Sequence, residues 1–258
     1  MAATVWKGFI SFGLVSIPVR LYAAARAEHV EFHEFHTVCH TRIKQQLYCP
    51  HCRRVVTRDE ISKGHEVSKG KIVLIEDEEI AKVAPPSSDT MEILEVVKLS
   101  DIDPIYYESS YYTVPEPAGK KAYSLLLEAM AHKQLAAVAK LAMHRREYTV
   151  VIRPRKAGLV LHTLFYENEV RAVPEYEKLA PQKISAKERE MAEKLLSSLE
   201  TRFQPAKYHD EYQERLTKLV AAKSKGRTIK ATPEKKPAEV IPLMDALRRS
   251  LEKSKRAS

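Results

Sequence analysis

Along the first two thirds of the chain, apolar and polar residues alternate with a period of two, and further on the period lengthens to that of a helix. Residues 5–25 open on such an alternation, meet two breakers at Gly13 and Pro18, and resume at Val19–Tyr22, which predicts two short strands with a turn between them. The segment 30–35 (VEFHEF) alternates again. Residues 66–75 end in the run Ile72-Val73-Leu74-Ile75 and read as one buried strand, and 76–84 reads as a short helix stopped by Pro85-Pro86. Strands are expected over 91–99 and 105–114, the second carrying Tyr106, Tyr107, Tyr111 and Tyr112 as core or interface residues. Ala122, Leu126, Ala129 and Met130 recur at helical spacing and predict a helix over 118–133. Three more strands, 135–143, 148–153 and 159–166, follow with turns at Arg145-Arg146 and 156–158. Seven to eight strands with frequent turn signals favour an antiparallel β-barrel with appended helices, a mixed β/α chain.

The later residues predict helices separated by a linker. Ser185 and Glu188 make a capping box ahead of the stripe Met191, Leu195, Leu196, Leu199 and Phe203. A second helix is expected over 208–223. Residues 224–239 have no apolar period and read as a basic linker, and Val240–Lys253 reads as an amphipathic helix. The resulting division is a core over 1–203, a helical arm over 204–223, the linker over 224–239 and a tail helix over 240–258.

Charge sharpens this picture. The chain has 258 residues and a net charge of +9, unevenly spread. Residues 76–116 hold eleven acids and two lysines, whereas 133–160 hold seven bases and one acid, and 203–258 fourteen bases and seven acids. Separate basic and acidic stretches suit a polyanion on one side. No apolar run reaches the ~20 residues of a membrane span. The N-terminus does not read as a signal peptide, so a cytoplasmic protein without a membrane partner is expected.

The three cysteines cluster between 39 and 52. His36 and Cys39 are separated by two residues, as are Cys49 and Cys52, with nine residues between the pairs. Two short chelate loops of this kind suit a structural Zn²⁺. His33, His40 and His51 stand nearby as other fourth ligands, and reduced, metal-free cysteines are the alternative. Catalysis is not expected: a Cys-rich set leaves no open metal position, and H-E-x-x-H, P-loop and G-x-S-x-G patterns are missing.

Several segments together carry a resemblance. Trp6–Tyr22 (WKGFISFGLVSIPVRLY), Ile61–Glu66 (ISKGHE), Ile102–Tyr107 (IDPIYY), Lys121–Leu126 (KAYSLL) and Met244–Leu251 (MDALRRSL) resemble, in the same order, segments of bacterial Ku. The resemblance implies a Ku core, a SPOC-like β-barrel with an arching bridge. It further implies a homodimeric ring around double-stranded DNA ends, a nucleoid-associated role in non-homologous end joining, and recruitment of DNA ligase D.

Sequence-independent binding needs phosphate contacts without base readout. The candidates fall in three groups. Arg42, Lys44, Arg53, Arg54, Arg58, Lys63 and Lys69 lie where the resemblance places the start of the bridge, and Lys140, Arg145 and Arg146 flank a basic turn. Arg153, Arg155 and Lys156 occupy another hairpin, and Arg20 on the second strand is a further candidate. In the tail helix, Leu243, Met244, Leu247 and Leu251 are the expected ligase anchors. A zinc-ribbon transcription regulator is the rival reading, separable by its indifference to DNA ends.

Overall fold

The computed structural model describes residues 3–85, 89–143, 146–173, 182–227 and 242–257. Its first strands are β1 (Thr4–Phe12) and β2 (Val15–Ala23), an antiparallel hairpin turning on Gly13, whose φ of +58° suits a residue without Cβ. Pro18 is not part of the turn. It lies inside β2 opposite Phe9, and its carbonyl still accepts the Glu116 N–H at 2.9 Å. A proline loses only the donor half of its ladder pairing.

The chain then leaves the barrel. Residues 30–35 form no strand, only a single bridge between Phe35 and Arg42, so the alternation there lacks a partner strand. Two small antiparallel ribbons follow. The first pairs β3 (Leu47–Cys49) with β4 (Arg54–Val56), and the second pairs β5 (Lys63–Ser68) with β6 (Lys71–Ile75). Helix α1 (Asp77–Val83) is capped by Glu76 and Glu79. The expected single buried strand over 66–75 is therefore two strands around Gly70, and Ile72, Val73 and Leu74 are exposed. A two-stranded ribbon with nothing packed on either face leaves its apolar residues uncovered.

The chain returns through β7 (Thr90–Lys98), β8 (Tyr107–Pro115), helix α2 (Lys120–Lys133), β9 (Leu135–Met143), β10 (Arg146–Arg155) and β11 (Gly158–Leu164). Seven strands close in the order β1-β2-β8-β11-β10-β9-β7. All neighbours are antiparallel except β1 and β7, which meet in parallel and close the barrel. Phe9 N–H donates to the Asp89 carbonyl at 2.7 Å beside this seam. Gly8 permits the approach, since a Cβ there would lie 2.1 Å from that carbonyl oxygen.

Alternate residues point inward. Ile10, Ile17, Leu21, Met91, Leu141, Ile152 and Leu161 are buried to 1% exposure or less, and α2 adds Tyr123 and Met130 to the same core. Each large aliphatic side chain buried in this way contributes ~1.5–3 kcal/mol. The Tyr123 hydroxyl replaces a ladder bond: it donates to the Thr113 carbonyl and accepts the Leu159 N–H, each at 2.6 Å.

A second compact unit comprises Glu28–Phe32 and the residues from Val173 onward. It contains α3 (Ala186–Leu199), capped as expected by Ser185 and Glu188, α4 (Glu211–Lys223) and α5 (Leu243–Ala257). Val30 N–H donates to the Gln213 side chain at 2.8 Å, tying the short segment to α4. Most of the expected linker, from residue 228, lies outside the described residues.

Candidate nucleic-acid interface

Strand register places scattered cations on the outer side of the barrel wall. Residues opposite each other in adjacent strands share a side of the sheet, as do alternate residues along a strand. Lys7 pairs with Arg20, Tyr22 with Tyr112, Tyr112 with Val160, Val160 with Arg153, and Thr149 with Lys140. Lys7, Arg20, Arg153, Arg155 and Lys140 therefore all project from the outer side of the barrel, while Leu21, Leu159, Leu161 and Ile152 fill its inside.

These cations are held in two ways. Arg20 and Lys7 both contact Glu116, at 2.9 and 3.1 Å, and together they hold that carboxyl below its usual range. Lys140 pairs with Glu147 at 2.7 Å. Arg153 instead donates its Nε–H to His162 Nε2 at 2.8 Å, and Arg155 donates to the Tyr112 hydroxyl at 3.2 Å with its guanidinium 5.9 Å from the ring centre. Neutral partners orient a cation without cancelling its charge. Arg146 opens β10 without an ion pair among the described residues, and Arg145 lies outside them. Arg146 and Arg155 start and end the same strand, which separates them by about 30 Å.

In the ribbon segment, Arg54 is held by both oxygens of Glu60, whose carboxyl it draws down to about 2. Lys63 pairs with Asp77 at 2.7 Å, and Arg42 contacts His33 Nδ1 at 3.1 Å. Lys44, Arg53, Arg58 and Lys69 have no ion pair among the described residues. Arg53 occupies the hairpin turn with a φ of +52°, and Lys69 the turn between β5 and β6.

Two features escape the sequence. A cleft of about 930 Å³ is lined by Lys98, Lys133, Gln134, Arg155 and Lys156 and by no carboxylate. Lys98 and Lys133 lie far from their companions in the chain, and only the strand order brings them together. The other is His162, which sits in the apolar run of β11 at 6% exposure. Its Nδ1 lies 2.9 Å from Ser110 Oγ, and the Tyr107 ring packs against it, tilted by 36°, at 4.7 Å between centroids. Burial, and then the Arg153 charge, push its pKa down to about 4. A polar residue in a strand that otherwise reads as buried was the available signal.

The metal candidates form two separate pairs. His36 Nδ1 is 3.0 Å from Cys39 Sγ, and the Thr41 hydroxyl and then His36 hold that thiol down to about 7. Cys52 N–H lies 3.5 Å from Cys49 Sγ across the β3–β4 turn. The donor chemistry suits Zn²⁺, but among the described residues no three His, Cys, Asp or Glu side chains are gathered around one point that would hold an ion. The expected four-ligand set is not assembled. In the tail, α5 lies beside α3 with Met244, Leu247 and Leu251 half-buried and Leu243 exposed. Among the described residues no helix is long and apolar enough to cross a membrane.

A closed barrel with a long ribbon-bearing excursion, carrying arginines and lysines on its outer side, defines the class of the protein. The family model for the Ku70/Ku80 beta-barrel domain matches residues 11–194, and the chain belongs to this Ku family. Curated relatives agree over nearly the whole length. The non-homologous end joining protein Ku of Solibacter usitatus (strain Ellin6076) is 49% identical over 97% of this chain and 94% of its own length. That of Koribacter versatilis (strain Ellin345) is 43% identical over 97% and 86%, and that of Heliobacterium modesticaldum 39% over 98% and 92%. Among solved structures, the SPOC domain of human PHD-finger protein 3 is similar over 63% of this chain and 95% of that domain, at 12% identity and a TM-score of 0.32.

Proposed function

We propose that this chain binds the ends of double-stranded DNA without regard to sequence, as a homodimeric ring, in non-homologous end joining, and that it acts as a non-catalytic scaffold in the cytoplasm. The observation that carries the reading is the set of cations Arg20, Lys140, Arg153 and Arg155 on the outer side of the barrel wall, on strands that offer phosphate-binding chemistry but no helix for a groove. Arg53, Arg58 and Lys69 in the ribbon segment, without an ion pair among the described residues, extend the same chemistry. Full-length likeness to end-joining relatives disfavours the transcription-regulator alternative. Gel shifts with linear and covalently closed DNA of equal length and salt test the reading. Binding to the linear form alone is expected, and equal capture of both would overturn it.

The homodimer is supported by apolar side chains that the chain leaves uncovered, Val67, Ile72 and Leu74 on the second ribbon and Phe12 and Leu125 at a groove of about 720 Å³. A light-scattering mass of two chains is the expected result. For DNA ligase D, exposed Leu243 gives the first anchor, and Met244, Leu247 and Leu251 become available where α5 leaves α3. Leu243→Asp should reduce ligase stimulation and leave end binding intact. Zinc belongs to this reading as a brace that would have to draw the separate His36–Cys39 and Cys49–Cys52 pairs together, supported by donor type and sequence spacing alone. Metal analysis near one Zn per chain, with the thiols shielded from a thiol reagent, is expected.

A further inference from the structure

We propose that His162 is a positioning residue, a neutral imidazole under the outer face of the sheet that aims the Arg153 guanidinium at a phosphate oxygen of bound DNA. The inference rests on the DNA-binding reading above and names the device by which one of its contacts works.

Three observations carry it. First, the hydrogen bonds fix the tautomer. Arg153 Nε–H donates to Nε2, so Nε2 carries a lone pair and the ring proton sits on Nδ1, where it donates to Ser110 Oγ. The Tyr107 ring holds the imidazole on a third side. A side chain fixed by β8, β11 and β10 together has little freedom left. Second, the bond engages only Nε of Arg153. The two terminal nitrogens have no partner among the described residues, and their edge is the one that matches two phosphate oxygens. Third, the neighbouring cations contrast with it. Glu116 and Glu147 hold Arg20 and Lys140 but subtract their charge from the face. An imidazole holds Arg153 at a comparable distance and subtracts nothing, and the ring stays neutral at ordinary pH because burial disfavours its charged form.

The test uses the full chain and a short linear duplex, read by fluorescence anisotropy over a salt series. Arg153→Ala should flatten the log–log salt slope by about 0.9 per lost contact. His162→Leu, which removes the acceptor, should weaken binding about fivefold through the rotamer freedom returned to Arg153. His162→Gln offers an amide oxygen to the same Nε–H and should restore most of the affinity. In an Arg153→Ala background, His162→Leu should add nothing. Should His162→Leu fail to fold by circular dichroism, Ser110→Ala repeats the comparison and should weaken binding about twofold. Equal losses from His162→Leu with and without Arg153, or a folded His162→Gln as weak as the Leu variant, would overturn the proposal. A wild-type chain that ignores the duplex would instead sink the DNA-binding reading itself. A wild type that binds, alongside an Arg153→Ala variant of unchanged slope, would remove this inference alone.

Discussion

The barrel and the ribbon segment come from the same chain with similar apolar runs, yet they solve burial differently. In the barrel, Val150 and Ile152 point into a closed sheet without edges, and both are fully covered. In the ribbons, Ile72-Val73-Leu74 has one partner strand and remains at 44–66% exposure. A closed sheet stabilises itself, whereas a two-stranded excursion depends on what lies against it. The cations follow the same division. On the barrel most are oriented by Glu116, Glu147, His162 or Tyr112, while several in the ribbon segment have no ion pair among the described residues.

The largest expected effect breaks the barrel's side of this comparison. Leu161→Ala or Ile152→Ala should lose roughly 2–5 kcal/mol in urea unfolding, since each removes a fully buried side chain from a closed core. Leu74→Ala on the ribbon should change stability by no more than about 0.5 kcal/mol. A ribbon loss that approaches the barrel loss, and grows with protein concentration, would place a second copy over that surface.

Next in size is a pH effect at His162. Its pKa is held down to about 4, against an ordinary 6.5, by burial and by Arg153; the ionisable groups that contact it are Arg153 and Tyr107, and Glu108 binds the hydroxyl of the next residue, Thr163. Above pH 6.5 the ring is neutral whether the chain is folded or not, and the contribution is complete. As pH falls from 6.5 towards 4 the unfolded chain takes up the proton first, so stability declines by at most about 3 kcal/mol and then levels. His162→Gln should flatten that part of a stability-against-pH curve.

Much of this was legible in the residues. The barrel strands and α2 fell close to their expected bounds because each carries its period locally. The run at 72–75 misled because an apolar strand looks the same whether or not a second layer covers it, and the turn at Lys69-Gly70 that divides the ribbon is only two residues long. Pro18 misled as a breaker because its retained acceptor suffices inside β2. At the site, Arg20, Lys140, Arg153 and Arg155 were visible as charges, but their common face follows from pairing register, which no local pattern encodes. His162 was concealed by its apolar neighbours, and Lys98 and Lys133 by their distance from Arg155 along the chain.

A smaller effect lies at the end of the barrel, where Tyr123 stands in for a ladder bond. Tyr123→Phe should destabilise by about 1–3 kcal/mol, because it strands the Leu159 N–H and the Thr113 carbonyl in a buried place. A loss under about 0.5 kcal/mol would mean that the two strands re-pair directly.

The smallest effect on stability is expected where the functional effect is clearest. Arg58→Ala, in the turn of helix between the ribbons, and Lys69→Ala, in the β5–β6 turn, remove cations that have no ion pair among the described residues, so thermal unfolding should move by no more than about 0.5 kcal/mol. Each should nevertheless lower the salt slope of duplex binding by about 0.9, evenly across sequences, if its charge displaces a counterion from a phosphate. Arg54→Ala should do less to the slope, because Glu60 already offsets its charge, and more to the ribbon, because Glu60 loses its partner. If Arg54 changed the slope as much as Arg58, its pairing with Glu60 would have to open on DNA. The ribbon would then match the barrel in keeping part of its charge in reserve until a phosphate arrives.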